Sequence, residues 1–250
     1  MARRNRRNRR RGGGHFALFY KLLTFLITCG VIVAALSLFF KIEQTQVSGM
    51  ERYSAQQVVE ASGVQQGQNL FLLDKYQVAA SIIDRLPYVE TVRISRQLPD
   101  TLCFEVTECT RQVQIHQGGT VWLLCHNGKI VDTAADLKEG AVITGLELQT
   151  PVVGRMLVAS DQQEEARIQL LELLDVLEKK GMLTSCQEIH LEDPDYITLR
   201  YQNAFHVKLL WNSDLNYELN YLQAVLERLE VGEKGTIDLT PVTSARFIPE

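Results

Sequence analysis

The sequence predicts an α+β protein with an N-terminal transmembrane helix, a small β-α-α-β-β domain and a larger mixed β-sheet domain with two amphipathic helices. Three observations predict this: one long uncharged segment near the N-terminus, two short helical patterns among the next residues, and period-two strands after them. With 250 residues, 46% of them hydrophobic, the chain can bury two small cores. The expected parts are residues 1–21 (tail), 22–40 (span), 42–108 (first unit) and 109–250 (second unit).

The uncharged segment runs from Leu22 to Phe40 and contains 19 residues between Lys21 and Lys41. As an α-helix it would be about 28 Å long, close to the hydrocarbon thickness of a bilayer. A cleaved signal peptide usually has a shorter apolar region and small residues at its exit. Because this segment is longer and ends in the bulky Phe39 and Phe40, we expect a retained single-pass anchor that contacts the lipid bilayer.

The charges are distributed asymmetrically along the chain. Seven arginines and no acid occur in residues 1–11, whereas 17 Lys and Arg stand against all 30 Asp and Glu from Ile42 onward. Lys- and Arg-rich flanks stay cytoplasmic, so we expect a cytoplasmic N-terminus and an extracytoplasmic body. An arginine run can also bind nucleic acid or anionic lipid. Topology alone explains it, and no nucleic-acid partner is expected.

The first unit is predicted to have the order β-α-α-β-β. A strand near Ile42–Val47 precedes two helices, one opened by the capping box Ser54-Ala55-Gln56-Gln57 and the other capped by Asp74 and stopped by Pro87. Two strands follow, in which apolar and polar residues alternate, so that one face is buried. The apolar positions are Val92, Ile94, Leu102, Phe104 and Val106.

The second unit is predicted to be rich in strands, with two helices. Asn127-Gly128 is a strong hairpin signal. Ser160 is expected to cap a helix with a leucine stripe, and a second amphipathic helix is expected over Leu215–Leu229. Residues 196–211 are predicted to form a hairpin, and Gly235–Leu239 a final short strand.

No established catalytic motif is found among the ionisable residues. The sequence has no His-Glu-x-x-His, no Gly-x-Ser-x-Gly and no phosphate loop. Cys125 and His126 could seed a metal site, but neighbours on a strand point to opposite faces, so no metal, cofactor or small-molecule substrate is expected. The acids between residues 188 and 195 are interpreted as a solvated edge, although spacing alone leaves a catalytic pair open.

The cysteines do not indicate which pair, if any, is oxidised.

Several short fragments of the first unit carry a family signature by their order and spacing. They are Val47-Ser48-Gly49, Gly63-Val64, Gly67-Gln68-Asn69-Leu70-Phe71, Leu86-Pro87-Tyr88-Val89, Pro99-Asp100-Thr101-Leu102 and Glu105-Val106-Thr107-Glu108. These fragments lie just after a single hydrophobic segment, and together they resemble the POTRA domain of the FtsQ/DivIB cell-division proteins. The second unit resembles the β domain of the same family in its Asn127-Gly128 hairpin, its late leucine-rich helix and its closing Gly-x-Ile-Asp-Leu strand. It departs from the family at Cys125–Asn127, where acidic residues are more common, and at Trp211, where glycine is common.

The resemblance implies a non-enzymatic divisome scaffold in the cytoplasmic membrane at the division septum. Its implied partners are the small FtsB/DivIC and FtsL coiled-coil proteins. We predict docking by strand addition, because the strand near Thr236–Leu239 is expected to be a sheet edge with unpaired backbone groups. The predicted partner-binding residues are Gly235, Thr236, Ile237, Asp238, Leu239, Arg246, Phe247, Tyr217 and Tyr221.

Two other functions remain open at this point. A membrane-anchored enzyme of the cell envelope would be supported by a cleft with converging ionisable groups in the second unit. A POTRA-type export or assembly module would be supported by further copies of the first unit or by barrel strands. The sequence contains no second copy and no series of barrel strands.

Overall fold

The computed structural model describes residues 14–109, 112–136, 139–230, 232–241 and 245–250, without the side chains of residues 14–18 and 36–38. The arginines that predict a cytoplasmic tail lie outside these ranges. The first element is helix α1, Gly14–Phe39. In the part of the chain that is described, no helix meets the length and apolarity needed to cross a membrane.

The first unit has the predicted order β-α-α-β-β. Its elements are β1 (Gln44–Ser48), α2 (Ala55–Ser62), α3 (Lys75–Arg85), β2 (Val89–Gln97) and β3 (Thr101–Glu108). Strand β3 lies in the middle of the sheet, parallel to β1 and antiparallel to β2. The apolar sides of the helices meet the sheet in a core that contains Ile82, Leu102 and Phe104.

Both predicted helix caps of the first unit are confirmed. The Gln57 N–H donates to Ser54 Oγ at 3.3 Å, and the Ser54 N–H donates to Gln57 Oε1 at 2.9 Å. The Asp74 carboxylate accepts the N–H groups of Tyr76 and Gln77. These bonds satisfy backbone donors that the first helical turn leaves without partners, which explains why the local sequence is sufficient to start both helices.

The second unit contains one large mixed sheet and two helices. Its elements are β4 (Gln112–Gln117), β5 (Thr120–Cys125), β6 (Ile130–Ala134), β7 (Ala141–Thr144), α4 (Glu164–Lys179), β8 (Cys186–His190), β9 (Tyr196–Tyr201), β10 (Phe205–Leu210), α5 (Leu215–Leu226), β11 (Gly235–Asp238) and β12 (Arg246–Pro249). In the described residues the strand order is β12-β11-β10-β9-β8-β7-β4-β5-β6. The leucines of α4 and α5 share one core with the sheet, so both helices are amphipathic as predicted.

Two predictions for the second unit are wrong. Ser160 makes no capping hydrogen bond, because a 3-10 turn at Asp161–Gln163 intervenes and α4 begins at Glu164. The strand at Gly235–Asp238 is not a sheet edge. It lies between β10, which runs parallel to it, and β12, which runs antiparallel. Its backbone groups are therefore used inside the sheet, and β12 forms the edge.

A disulfide and a buried lysine lie where the two units meet. Cys109, just after β3, forms a disulfide with Cys125 at the end of β5. The buried ammonium of Lys129 donates to the carbonyl oxygens of Ile83 and Val89 at 2.7 and 2.9 Å. Lys129 belongs to the second unit and both carbonyls to the first, so the contact connects the units directly. Burial lowers the pKa of Lys129.

Candidate partner-binding site

An apolar groove lies at one end of the large sheet, beside α5. Its volume is about 270 Å³. Helix α5, the end of β10, residues 239–241 and residue 245 form its walls. The lining residues are Leu210, Ser213, Asp214, Tyr217, Glu218, Tyr221, Leu239, Thr240, Pro241 and Ala245. This set, hereafter the α5 groove, places exposed apolar surface next to the edge strand.

Two tyrosines of α5 form the aromatic wall of the groove. Tyr217 and Tyr221 are one helical turn apart, and their rings stack with centroids 6.3 Å apart. They are 58% and 38% exposed. Asp214 caps α5 by accepting the Tyr217 N–H at 3.0 Å, which fixes where the helix begins. Rigid, partly exposed tyrosines are enriched at protein-binding hot spots.

A buried carboxyl group lies under the same groove. The Glu218 side chain is only 9% exposed, and burial raises its pKa, although a hydrogen bond from Ser213 opposes the shift. Its Oε2 atom has no hydrogen-bond partner in the described part of the chain. Keeping the Glu218 carboxylate ionised costs free energy in the folded state. The floor of the groove therefore destabilises the folded protein when no partner is bound.

The edge strand β12 presents a short row of unused backbone groups. The Glu250 N–H donates to the Lys234 oxygen at 3.1 Å. Hydrogen-bonded and non-hydrogen-bonded pairs alternate along an antiparallel ladder, so the pair Ile237–Phe247 is of the second kind. The N–H and C=O of Phe247 therefore point away from β11. In the described sheet no strand lies on that side.

Close packing holds β12 against β11. A Cβ atom at Gly235 would lie 2.2 Å from the Ile248 oxygen, so only glycine allows the strands this approach. The Phe247 ring packs edge-on against Phe205, with centroids 6.4 Å apart. The Ile248 side chain remains 55% exposed. The edge strand is thus firmly attached on one side and accessible on the other.

The structure divides the predicted partner-binding residues into two groups. Tyr217, Tyr221 and Leu239 line the α5 groove, and Arg246 and Phe247 belong to the edge strand. The remaining four, Gly235, Thr236, Ile237 and Asp238, form the inner strand β11, and Ile237 is fully buried.

The sequence did not identify Leu210, Pro241 and Ala245 as residues of the groove. It also did not predict that residues 246–249 form a strand. The apolar pair at 247–248, close to a predicted strand, was the signal that could have identified β12.

Two of the acidic residues between 188 and 195, Glu188 and Asp193, are held by local partners. Glu188 accepts from Arg200 at 3.2 Å and lies 3.2 Å from His190 Nε2. The backbone N–H of Asp195 bonds the Asp193 carboxylate and lowers its pKa. These pairs satisfy the acids where the strand β8 meets solvent, which favours the interpretation as a solvated edge.

The expected separation of Cys125 and His126 is wrong. Ligand atoms of Glu90, Cys125 and His126 all lie within 4.8 Å of one another. The alternation rule fails here because β5 ends at Cys125, and His126 belongs to the turn that follows. Cys125 itself is bonded to Cys109.

A small β-α-α-β-β unit followed by a large mixed sheet with an accessible edge strand is the arrangement expected for a POTRA domain with an appended β domain. Comparison with known proteins agrees. The family model of the FtsQ-type POTRA domain matches residues 40–108.

Two curated relatives extend the similarity over most of the chain. Cell division protein FtsQ of Geotalea daltonii is 26% identical over 198 residues, which are 77% of this chain and 69% of the relative. Cell division protein DivIB of Clostridium botulinum is 24% identical over 224 residues, 88% of this chain and 86% of the relative. The chain is similar to FtsQ/DivIB cell-division proteins over most of its length, and residues 40–108 match the FtsQ-type POTRA domain. These relatives do not favour the alternatives of an envelope enzyme or an assembly module.

A solved structure also overlaps part of the chain. It is the major extracytoplasmic domain of the cell-division protein DivIB from Geobacillus stearothermophilus. The match covers 50% of this chain and 99% of that domain, at 15% identity and a TM-score of 0.30.

Proposed function

We propose that this protein is a non-enzymatic scaffold of the division machinery, which binds other division proteins at the septum outside the cytoplasmic membrane. Its similarity to FtsQ and DivIB cell-division proteins supports a role in division. The observation that carries the docking role is the accessible edge of β12 beside the α5 groove. Together they offer backbone hydrogen bonds and an apolar anchoring site, the two components of strand-addition recognition.

The membrane attachment is part of the proposal and rests on the sequence. Residues 22–40 contain no charge, and the arginine-rich residues before them favour a cytoplasmic N-terminus. We infer a tail at 1–21, a span at 22–40, a POTRA unit at 42–108 and a β unit at 109–250. This arrangement places both the edge strand and the groove outside the membrane.

The proposed partner segment adds a strand to β12. Its backbone pairs with Phe247, and its apolar side chains enter the α5 groove next to the tyrosines. FtsB/DivIC- and FtsL-type proteins fit this role because the family resemblance implies them as partners. A short extended piece next to a coiled coil would supply both the strand and the side chains that the groove accepts.

A proline substitution tests this route at a single backbone group. Phe247→Pro removes the outward N–H but no bond to β11, because that N–H points away from β11. Phe247→Ala is the matched control, since it removes the ring and keeps the N–H. One hydrogen bond contributes about 0.5–1.5 kcal/mol, so Phe247→Pro should bind about 2- to 10-fold more weakly than Phe247→Ala.

The measurement is the affinity of the full chain, in detergent, for the extracytoplasmic segment of the FtsB/DivIC-type protein of the same cell. Ile248→Pro serves as a second comparison, because it breaks the ladder to β11 and should detach the whole strand. Equal affinities of the Phe247→Pro and Phe247→Ala variants would show that strand addition to β12 does not occur.

The scaffold role is tested independently by localisation. A fluorescent fusion of the full chain should form a band at midcell in dividing cells. A uniform membrane signal would contradict the division role itself, whatever the outcome of the proline experiment.

A further inference from the structure

The junction between the two units contains four groups that zinc ions prefer. Cys109 and Cys125 are joined as a disulfide, and His126 and Glu90 lie beside it. We propose that reduction of this disulfide creates a zinc site in which Cys109, Cys125 and His126 are the ligands. Glu90 is the residue that positions His126. This site is independent of the docking function.

The distances around His126 match those of a zinc site. Cys125 Sγ lies 3.7 Å from His126 Nδ1. Two ligands of one tetrahedral zinc, with a Zn–S bond of about 2.3 Å and a Zn–N bond of about 2.0 Å, are about 3.5 Å apart. The imidazole therefore already has the position that it needs relative to one sulfur.

The other nitrogen of the imidazole faces a carboxylate. His126 Nε2 lies 3.3 Å from Glu90 Oε1, and both side chains are mostly buried. A metal-bound histidine usually donates its second N–H to such a group, which fixes the ring and raises its basicity. Glu90 sits at the bulge where the register between β2 and β3 shifts. A bulge re-aims a side chain, and here the side chain meets the second unit.

The chemistry of the donor set selects the metal. Two thiolates and one imidazole suit zinc, and three protein ligands leave the fourth position to water. Calcium and magnesium prefer oxygen ligands and are excluded by the sulfurs. Cys109 and Cys125 are buried. Their thiolates are therefore shielded from water, and a bound cation is favoured to neutralise them.

The reaction is a thiol–disulfide exchange followed by metal binding. A dithiol reductant supplies two electrons and two protons, becomes a disulfide itself and leaves thiols on Cys109 and Cys125. Zinc then displaces the two thiol protons, and the sulfurs separate to about 3.8 Å, as in tetrahedral zinc sites. Because Cys109 directly follows β3 and Cys125 ends β5, the metal replaces the covalent link between these two strands at the same position.

Cobalt(II) is the probe that reports these ligands directly. The full chain is reduced in detergent, separated from the reductant without oxygen and titrated with Co²⁺. We expect one Co²⁺ per chain, with thiolate-to-cobalt charge-transfer absorption, tetrahedral visible bands and displacement by Zn²⁺. The oxidised chain should show none of these bands.

Matched variants assign the site. His126→Gln and Glu90→Gln leave the disulfide intact, so correct folding can be verified before reduction. We expect His126→Gln to lose the tetrahedral spectrum and Glu90→Gln to weaken binding about 10- to 100-fold. Cys103→Ser removes a thiol outside the site and should bind normally. Cys186 is buried, which raises its pKa to about 12 and makes it a poor competing ligand.

Three results would overturn the zinc site. They are the absence of thiolate-to-cobalt absorption in the reduced chain, an unchanged spectrum in His126→Gln, and equal binding by the oxidised chain. Cys125→Ser provides a further comparison, because it removes one ligand and should abolish the charge-transfer band. Should that variant unfold, the two variants that keep the disulfide still decide the outcome.

Discussion

Reduction of the Cys109–Cys125 disulfide should destabilise the fold by an amount that follows from its position. The two cysteines are 16 residues apart. In the chain-entropy model, opening a loop of that length increases the freedom of the unfolded chain by about 3 kcal/mol. Since each kcal/mol shifts the melting temperature of a chain this size by about 2–4 °C, reduction should lower it by about 6–12 °C.

Reduction is a cleaner perturbation than mutation, because both cysteines are buried and their replacement would also remove packing. The full chain, in detergent with a chelator to keep zinc away, is melted with and without a reductant and followed by near-ultraviolet circular dichroism. Cys125→Ala should show no response to the reductant, whereas Cys103→Ser should respond like the parent. Identical melting temperatures for the oxidised and reduced parent would refute the loop-entropy reasoning.

Three more predictions concern the groove and the edge strand. Glu218→Gln should raise the urea midpoint at neutral pH, because burial raises the pKa of Glu218 in the folded state. The free energy of unfolding that the protonated Glu218 provides is fully present below the ordinary pKa of a glutamate and is lost as pH rises through its raised folded pKa. The stabilisation by Glu218→Gln should therefore be present at neutral pH and vanish toward about pH 4. Gly235→Val should speed amide exchange at residues 246–250, because its Cβ would collide with the Ile248 oxygen; unchanged exchange would contradict the close approach. Tyr221→Ala should weaken partner binding by about 10-fold, as a hot-spot aromatic does. Ile168→Ala, on the exposed side of α4, should have no effect on binding.

The sequence predicts those features that local residues determine. Ser54 and Asp74 start their helices with backbone hydrogen bonds that involve only the next three residues. The hairpin at Asn127-Gly128 forms because Gly128 takes a positive φ of 86°, which the turn requires. Each of these elements depends only on a few neighbouring residues. It can therefore be predicted without knowing which distant residues are in contact.

The rest depends on contacts between distant residues. The strand β12 is only four residues long and ends in Pro249, so no alternation marks it, and its pairing with β11 is set by tertiary packing. The disulfide joins Cys109 and Cys125, which tertiary packing brings together, and packing between the units brings His126 next to Glu90. Because β12 was not predicted from the sequence, the sheet edge was expected one strand too far inward, at β11.

The displaced edge explains how the proposed docking can remain selective. In the register with β11, Phe247 and Pro249 are the positions whose backbone faces outward. Proline has no N–H, so the edge offers one donor and two carbonyl acceptors. Such a short edge resists indiscriminate pairing with other strands, and its backbone bonds alone would hold a partner weakly. Selectivity and most of the affinity must then come from side chains, and the stacked tyrosines of the adjacent α5 groove are positioned to supply both.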